Sequence, residues 1–297
     1  MLLPNFLCIG AAKSGTTTLY EILKQHPDVF LSSFKEPHFF DDDERFKKGM
    51  QWYQRTYFSN TKKEKLVGEF TPTYLSSPCS AKRIKSSLGD EVKLIILLRN
   101  PVDRAYSHYL HTKRDQYEEL MFLNALEKEG ERLGLAESNG DFLSKLRYSY
   151  IEQGRYFNHI NSYLQQFERS QIHVVIFEEF VKNPTEEIEK VLWFLGLENQ
   201  SLNVKIQSNQ ASKPRLVALK NIMREGSTIA KVAKNLVPFN SARQKIRNYL
   251  HALNNKSIKK DLLAKEDRAA CYQNYFLKEV QELEDLLSIN LNIWKEC

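Results

Sequence analysis

A run of small and hydroxyl-bearing residues containing one lysine, Gly10 to Thr18, follows a short apolar segment near the start of the chain. Small residues let backbone N–H groups close around an anion, and the start of a helix adds the positive end of its dipole. The run therefore predicts a phosphate-binding loop. It is not a Walker A motif, because Thr16 follows Gly15 where that motif has a lysine, and Lys13 comes two residues earlier. A tight strand-to-helix turn without a ligand is the alternative interpretation of the loop taken alone.

A second group of polar residues follows another apolar segment and contains Arg99, Asn100 and, further on, Ser107. In an open α/β sheet, ligands bind beyond the carboxyl ends of the strands, where Arg99 is predicted to lie. Ser107 comes about two helical turns later. Together the two side chains would hold a second phosphate, whereas Arg99 alone could equally form a surface ion pair with Asp103.

The segments that must position these residues alternate between strand and helix patterns. Short apolar runs bounded by polar residues predict buried parallel strands at Phe6 to Gly10, Val92 to Leu98 and Ile172 to Phe177. Apolar residues at helical spacing predict helices at Thr17 to Gln25, Pro101 to Leu110, Phe157 to Phe167 and after Pro184. The alternation predicts an α/β fold, with a P-loop-like parallel β-sheet flanked by helices on both faces.

Composition limits the class of protein. The 297 residues are 42% hydrophobic and include 17 Phe and 14 Tyr, so the chain can bury a core and is not mainly disordered. No linker rich in Gly, Pro or Ser divides it, and we predict a single domain over residues 1–297. The four cysteines form no CxxC pair, which argues against a zinc site and a disulfide framework. Without an apolar run of about 18 residues or a signal-peptide pattern, the protein is predicted to be cytoplasmic.

The net charge of +6 is unevenly distributed. Residues 212–260 contain twelve basic side chains and one acidic side chain, Glu225, whereas the rest of the chain is weakly acidic. This basic segment is predicted to be helical and to act as a lid, a dimer surface or a contact with an anionic membrane. Alternatively, these basic side chains simply form the solvent-exposed face of ordinary amphipathic helices.

Four motifs, in this order, resemble those of sulfotransferases that use 3'-phosphoadenosine 5'-phosphosulfate (PAPS), in the bacterial branch related to heparan sulfate sulfotransferases. The resemblance spans nearly the whole chain, and four ordered motifs are more specific than any one of them. The motifs are Lys13-Ser14-Gly15-Thr16-Thr17, Lys35-Glu36-Pro37-His38-Phe39-Phe40, Gly68-Glu69-Phe70-Thr71-Pro72-Thr73-Tyr74, and Arg99-Asn100-Pro101 with Ser107. Further matches are Gly154-Arg155-Tyr156, Phe177-Glu178-Glu179-Phe180, Lys213-Pro214-Arg215 and Trp294.

The resemblance implies a role for each donor-binding residue. Lys13 would touch the bridging oxygen of the phosphosulfate, and Arg99 with Ser107 would hold the 3'-phosphate. Lys213 and Arg215 would close over the 3'-phosphate or the adenosine. The remaining implied cofactor-binding residues, around the 5'-phosphate, are Ser14, Gly15, Thr16, Thr17 and Thr18.

The implied reaction needs in-line positioning and charge stabilisation, as phosphoryl transfer does, but the transferred group carries less negative charge. A lysine ammonium at the leaving oxygen can neutralise the charge that develops there, so no metal is predicted. The resemblance implies that Glu36 is the base for an acceptor hydroxyl. His38 is the competing base, since a neutral imidazole is available near pH 7, and Glu36 could instead only pair with Lys35.

The resemblance also implies contacts with the acceptor, by Glu36, His38, Phe70, Tyr74 and Tyr156. Glycosaminoglycan enzymes of this type have a lysine at the position of Phe70, so Phe70 argues against a glycosaminoglycan acceptor. The acidic run at residues 41–44 would also repel a polyanion and favour a neutral or cationic acceptor. A solvated loop is the simpler interpretation of that run.

The sequence thus predicts an enzyme of the EC 2.8.2 type that moves a sulfuryl group from PAPS to a hydroxyl, amine or carbamoyl nitrogen of a small or medium acceptor. Such an acceptor would be a natural product or a glycolipid, and the nucleotide product is adenosine 3',5'-bisphosphate (PAP). The alternatives are an ATP- and Mg²⁺-dependent P-loop phosphotransferase and a non-catalytic protein that binds a polyanion or membrane. No nucleic-acid partner and no transmembrane segment are predicted, and the chain would be a monomer or homodimer.

Overall fold

The computed structural model describes residues 2–32, 34–205, 212–214, 255–257 and 262–295. The chain forms two compact units, one comprising Met1–Gln207 with Leu263–Cys297 and the other comprising Ser208–Leu262. In the second unit, the strands β6 (Ser212–Pro214) and β7 (Asn255–Ser257) pair antiparallel. The predicted basic segment, residues 212–260, falls wholly within this second unit, and most of it lies outside the described residues.

The first unit is built on a five-stranded parallel sheet with the strand order β2-β3-β1-β4-β5. All residues of β1 and β3 are buried, as expected for parallel strands that are covered on both faces. This observation explains why these strands appear in the sequence as short apolar runs. The strands are β1 (Phe6–Gly10), β2 (Val29–Leu31), β3 (Leu66–Phe70), β4 (Lys93–Leu98) and β5 (Ile172–Ile176).

Helices connect and cover these strands. Before β5 they are α1 (Thr16–Leu23), α2 (Asp43–Phe46), α3 (Gly49–Tyr57), α4 (Ser80–Leu88), α5 (Pro101–Arg114), α6 (Phe122–Glu127), α7 (Glu129–Ser138), α8 (Phe142–Tyr148) and α9 (Tyr156–Leu164). After β5 they are α10 (Phe177–Lys182), α11 (Pro184–Leu195), α12 (Lys265–Cys271), α13 (Leu277–Leu287) and α14 (Asn292–Lys295). A π-helical turn, Tyr272–Phe276, joins α12 to α13.

Two hydrophobic clusters lie on opposite faces of the sheet. The α1 residues Leu19 and Leu23 share one cluster with Leu192 of α11. The other cluster joins Val102 of α5 to residues of α9 and to the C-terminal helices, which contribute Trp294 among others. The two-faced covering confirms the predicted α/β fold.

Element boundaries differ from the sequence prediction in places. The strand β5 ends at Ile176, because Phe177 already begins α10. The helix α5 continues to Arg114, four residues beyond the predicted end. The strand β2 was not predicted, since three residues at the sheet edge carry too little pattern to distinguish them from a loop.

Within the described parts of the chain, no helix has both the length and the apolar character needed to cross a membrane.

Candidate active site

The turn between β1 and α1 contains two residues with left-handed backbone conformations, Lys13 at φ 70° and Gly15 at φ 92°. A Cβ atom at Gly15 would lie 2.9 Å from the ring of Phe177, so glycine is required both by conformation and by space. Gly15 is the N-cap of α1 and supplies no side-chain acceptor to the first turn. The N–H groups at the start of α1 are therefore available to an anion.

Lys13 has an environment that changes its acid–base behaviour. Burial, with a smaller contribution from the positive charge of Arg114, lowers the pKa of Lys13 to about 8. The ammonium is still the main form at neutral pH. A cation that is already poorly hydrated interacts strongly with an anionic group placed beside it.

Arg99 lies directly beside the loop of Lys13. Its Nη1 donates a hydrogen bond to the carbonyl oxygen of Lys13 at 3.3 Å. Its guanidinium lies over the ring of Phe177, 4.9 Å from the ring centroid. The structure thus places the Arg99 side chain, at the end of β4, against the backbone of the loop that follows the adjacent parallel strand β1.

The alternative in which Arg99 pairs with Asp103 is not seen. The carboxylate of Asp103 instead accepts hydrogen bonds from Arg268 of α12, at 3.2 and 3.3 Å. Ser107 is half-buried on α5, the helix that begins just after Arg99.

Glu36 is tied to the start of α1 through Lys35. The Nζ atom of Lys35 donates to Oγ1 of Thr17 at 2.6 Å and lies 3.5 Å from Oε1 of Glu36. The backbone N–H of Glu36 donates to the carbonyl oxygen of Phe70, the last residue of β3, at 2.9 Å. The Glu36–Lys35 ion pair that the sequence suggested does form. Because Lys35 also contacts Thr17, the pair places the Glu36 carboxylate, which is 44% exposed, beside the loop between β1 and α1.

The backbone of the Glu36 loop is also unusual. Glu36 has φ 62° and His38 has φ 51°, both in the left-handed region that non-glycine residues rarely adopt. Each such conformation costs on the order of 1 kcal/mol and persists where surrounding contacts enforce it. Two of them in three residues mark this loop as a candidate functional segment.

His38 forms a pair with Asp41, a residue that sequence reasoning had placed only in an acidic run. The Nδ1 atom of His38 lies 3.0 Å from Oδ2 of Asp41, which also accepts a hydrogen bond from the hydroxyl of Thr73 at 2.5 Å. Burial alone would lower the pKa of His38, but the Asp41 carboxylate opposes this effect and the net pKa is raised. The spacing of a histidine and an aspartate three residues apart was the available signal for this pair.

Replacing Asp41 by asparagine is expected to lower the pKa of His38 by about one unit or more, because the mutation removes the buried negative charge that favours the imidazolium. The measurement is an NMR titration of the His38 ring resonances. The matched control is Asp42→Asn, since Asp42 caps α2 and does not contact His38. An unchanged His38 pKa in Asp41→Asn would contradict the pairing.

A buried polar network supports the Glu36–His38 loop from behind. The hydroxyl of Tyr74 accepts hydrogen bonds from the backbone N–H groups of Phe39 and Phe40 at 2.9 and 3.3 Å. Glu69 accepts hydrogen bonds from the hydroxyls of Tyr53 and Thr71. Burial raises the pKa of Glu69 to about 7. Tyr74 thus holds the end of the loop from the interior, and Glu69 is buried nearby with Tyr53 and Thr71.

Three residues predicted to contact an acceptor have side chains inside the protein. Phe70 is 1% exposed and packs edge-to-face against Tyr20. Tyr74 and Tyr156 are fully buried. The hydroxyl of Tyr156 donates to the carbonyl oxygen of Arg99 at 3.0 Å. In this structure each of the three supports the site from behind and does not line an open surface.

The other predicted donor-binding residues are divided between the two units. Ser14 and Thr16 are buried in the loop, Thr17 is exposed and Thr18 is half-buried. Lys213 belongs to β6 of the second unit, and Arg215 lies outside the described residues. Where side chains are described, no group of three or more His, Cys, Asp or Glu could hold a metal ion.

Comparison with known proteins gives one family. Residues 3–260 match the family model described as "Sulfotransferase domain". The chain is 36% identical over 200 residues to mouse heparan sulfate glucosamine 3-O-sulfotransferase 3B1, covering 66% of this chain and 46% of that protein. It is 31% identical over 196 residues to human heparan sulfate glucosamine 3-O-sulfotransferase 5, covering 66% and 54%. The chain therefore spans about half the length of the curated relatives it matches.

A solved structure matches over the full length of both chains. It is the crystal structure of a sulfotransferase from Alicyclobacillus acidocaldarius, with 26% sequence identity and a TM-score of 0.71. The match covers 100% of each chain. The parallel sheet and its flanking helices are thus a shared arrangement.

Proposed function

This chain belongs to the sulfotransferase domain family, and from that premise we propose that it transfers a sulfuryl group from PAPS to a hydroxyl group of a sugar-containing acceptor. The observation that carries the proposal is the contact between Arg99 and the Lys13 loop beside the uncapped start of α1. PAPS has phosphate groups at both its 5' and 3' positions. Two neighbouring cationic elements suit a nucleotide with two separate phosphates better than they suit ATP.

The residues present fit this donor. Gly15 places no side-chain acceptor at the start of α1, so the N–H groups there can bind an anion. In the proposal, the start of α1 and Thr17 bind the 5'-phosphate, and Arg99 with Ser107 binds the 3'-phosphate. When bound, PAPS would supply the activated sulfuryl group.

The proposed step forms a bond between the acceptor oxygen and sulfur while the bond from sulfur to the phosphate oxygen breaks. Lys13 stabilises the negative charge that develops on that phosphate oxygen, and PAP leaves with it. Glu36 takes the proton of the acceptor hydroxyl. Because Lys35 holds Thr17 and Glu36 together, the base lies next to the donor loop.

The proposed acceptor class rests on the relatives and on position 70. The mouse and human relatives are named for transfer to heparan sulfate glucosamine, which supports a sugar hydroxyl. Position 70, where the resemblance implies a lysine in glycosaminoglycan enzymes, is a buried phenylalanine and offers no cation to a polyanion. The missing cation favours a neutral or cationic sugar-containing molecule of small or medium size over a sulfated polysaccharide.

Calorimetric titration with PAP, beside ADP and ATP with and without Mg²⁺, tests the donor assignment. We expect PAP to bind at least tenfold more tightly than ADP, because only PAP offers a 3'-phosphate to Arg99, a difference of about 1.4 kcal/mol. The preference should persist in EDTA. Tighter binding of ATP that depends on Mg²⁺ would overturn the proposal in favour of phosphoryl transfer.

A further inference from the structure

Two motif residues, Glu178 and Trp294, have no place in the donor and acceptor contacts described above. Glu178 is the second residue of α10, and Trp294 lies in α14, 116 positions further along the chain. The Nε1–H of Trp294 donates a hydrogen bond to Oε2 of Glu178 at 2.8 Å. The indole is completely buried. This contact therefore fixes the C-terminal helix to the start of α10.

The same pair holds Asn100, the residue that follows Arg99. The backbone N–H of Asn100 donates to Oε1 of Glu178 at 3.0 Å, so the two carboxylate oxygens bind different partners. The side-chain amide of Asn100 donates to the carbonyl oxygen of Trp294 at 2.9 Å. Asn100 is 1% exposed, and its side-chain oxygen caps α5. Glu178, Trp294 and Asn100 thus form a closed, buried network.

This network surrounds the turn that carries Arg99. The ring of Tyr156 lies 6.1 Å from that of Trp294, centroid to centroid, and its hydroxyl donates to the carbonyl oxygen of Arg99. Phe177, the neighbour of Glu178, lies beneath the guanidinium of Arg99. The backbone and the side chain of Arg99 are therefore both held by residues that contact, or adjoin, this network.

A second contact attaches the C-terminal region to the same helix. Arg268 of α12 binds the carboxylate of Asp103 in the first turn of α5. Asp103 lies three residues after Asn100, so α12 and α14 both contact the beginning of α5. The C-terminal helices are thus structurally coupled to the turn from which Arg99 projects.

We propose that Glu178 and Trp294 are positioning residues for recognition of the 3'-phosphate, acting through Asn100 on the orientation of Arg99. The inference rests on the proposed function, since it assumes that Arg99 binds that phosphate. A guanidinium held in advance loses less freedom on binding and keeps its hydrogen-bond geometry. Selectivity for a 3'-phosphorylated nucleotide therefore depends on a segment nearly 200 residues from Arg99 in sequence. The hydrogen bond between Asn100 and Trp294, for example, joins residues that are 194 positions apart.

The test compares PAP with adenosine 5'-monophosphate (AMP), which lacks only the 3'-phosphate. The variants are Trp294→Phe, which keeps an aromatic ring and removes the N–H donor, and Glu178→Gln, which replaces one acceptor oxygen by a donor. For both, we expect the Kd of PAP to rise about tenfold or more while the Kd of AMP is unchanged. Trp193→Phe, on an 83% exposed tryptophan of α11, is the matched control and should leave both Kd values as in the unmodified protein.

The outcomes separate this inference from the proposed function. If the unmodified protein binds PAP no more tightly than AMP, the proposed function fails and the inference fails with it. If the unmodified protein prefers PAP but both variants keep that preference, or lose affinity for both nucleotides equally, only the inference is overturned. If Trp294→Phe does not fold, the Kd values of PAP and AMP for Glu178→Gln alone test the inference. In an Arg99→Ala background, Trp294→Phe should have no further effect on the Kd of PAP.

Discussion

Replacing Lys13 by alanine is expected to lower kcat for sulfuryl transfer about 10²- to 10³-fold, because the mutation removes the cation proposed to stabilise the leaving phosphate oxygen. The loss should appear in kcat more than in the KM for PAPS, since that charge develops only in the transition state. The helix start and Arg99 remain in place to bind the donor. The measurement is steady-state transfer from PAPS to a sugar acceptor found by screening.

The matched control for Lys13 is Lys24→Ala, at the exposed end of α1. That variant should transfer sulfate at the rate of the unmodified protein. Equal kcat values for Lys13→Ala and Lys24→Ala would remove Lys13 from the reaction.

The pH dependence gives a second measurement of the same role. Burial lowers the pKa of Lys13 to about 8, so its positive charge is present below that pH and is lost as the pH rises through it. The value of kcat/KM for PAPS, which reports the free enzyme, should therefore decline above pH 8. In Lys13→Arg the guanidinium stays protonated, and the decline should vanish even if the overall rate is lower.

Replacing Glu36 by glutamine is expected to lower kcat about 10²- to 10⁴-fold, since the amide cannot accept the acceptor's proton. The amide is nearly the same size as the carboxylate, so the loop and its contact with β3 should be retained. The Kd of PAP should change little, because Glu36 acts on the acceptor and not on the donor phosphates. Calorimetry with PAP and steady-state transfer assays measure the two effects separately.

The control for Glu36 is Glu21→Gln, an exposed carboxylate on α1, which should keep full activity. His38→Asn provides the comparison that identifies the base. A Glu36→Gln variant within a few-fold of normal kcat, together with a large loss in His38→Asn, would transfer the role of base to His38.

The loop that contains Lys13 shows how much of the candidate site could be predicted from the sequence. Lys13, Gly15 and Thr17 occur within five residues, so their proximity follows from the chain itself, and the flanking apolar run and helical pattern identify a strand–loop–helix unit. The position of Arg99 was also predictable, because strands in a parallel sheet end at the same edge. Both features are local or follow from a general rule of sheet topology.

The acceptor side of the site was less predictable. Asp41 looked like one member of an exposed acidic run, yet it is buried and paired with His38. Tyr156 and Phe70 were predicted to contact an acceptor, yet their side chains lie in the interior. Phe70 ends a strand that is buried along its whole length, and Tyr156 begins α9 with its side chain in the core, so their burial follows from packing that a short motif does not reveal.

The sequence by itself determined the fold class, the strand–loop–helix unit that contains Lys13, and the motifs of the family, because each depends on residues close together in the chain or on a repeating apolar pattern. Only the tertiary structure decided that Lys35 joins Thr17 to Glu36, and that Glu178 and Trp294 hold the turn of Arg99. These contacts connect distant parts of the chain, and their geometry arises from how helices pack on the sheet. Packing depends on the shapes of many side chains at once, so no single motif in the sequence specifies it.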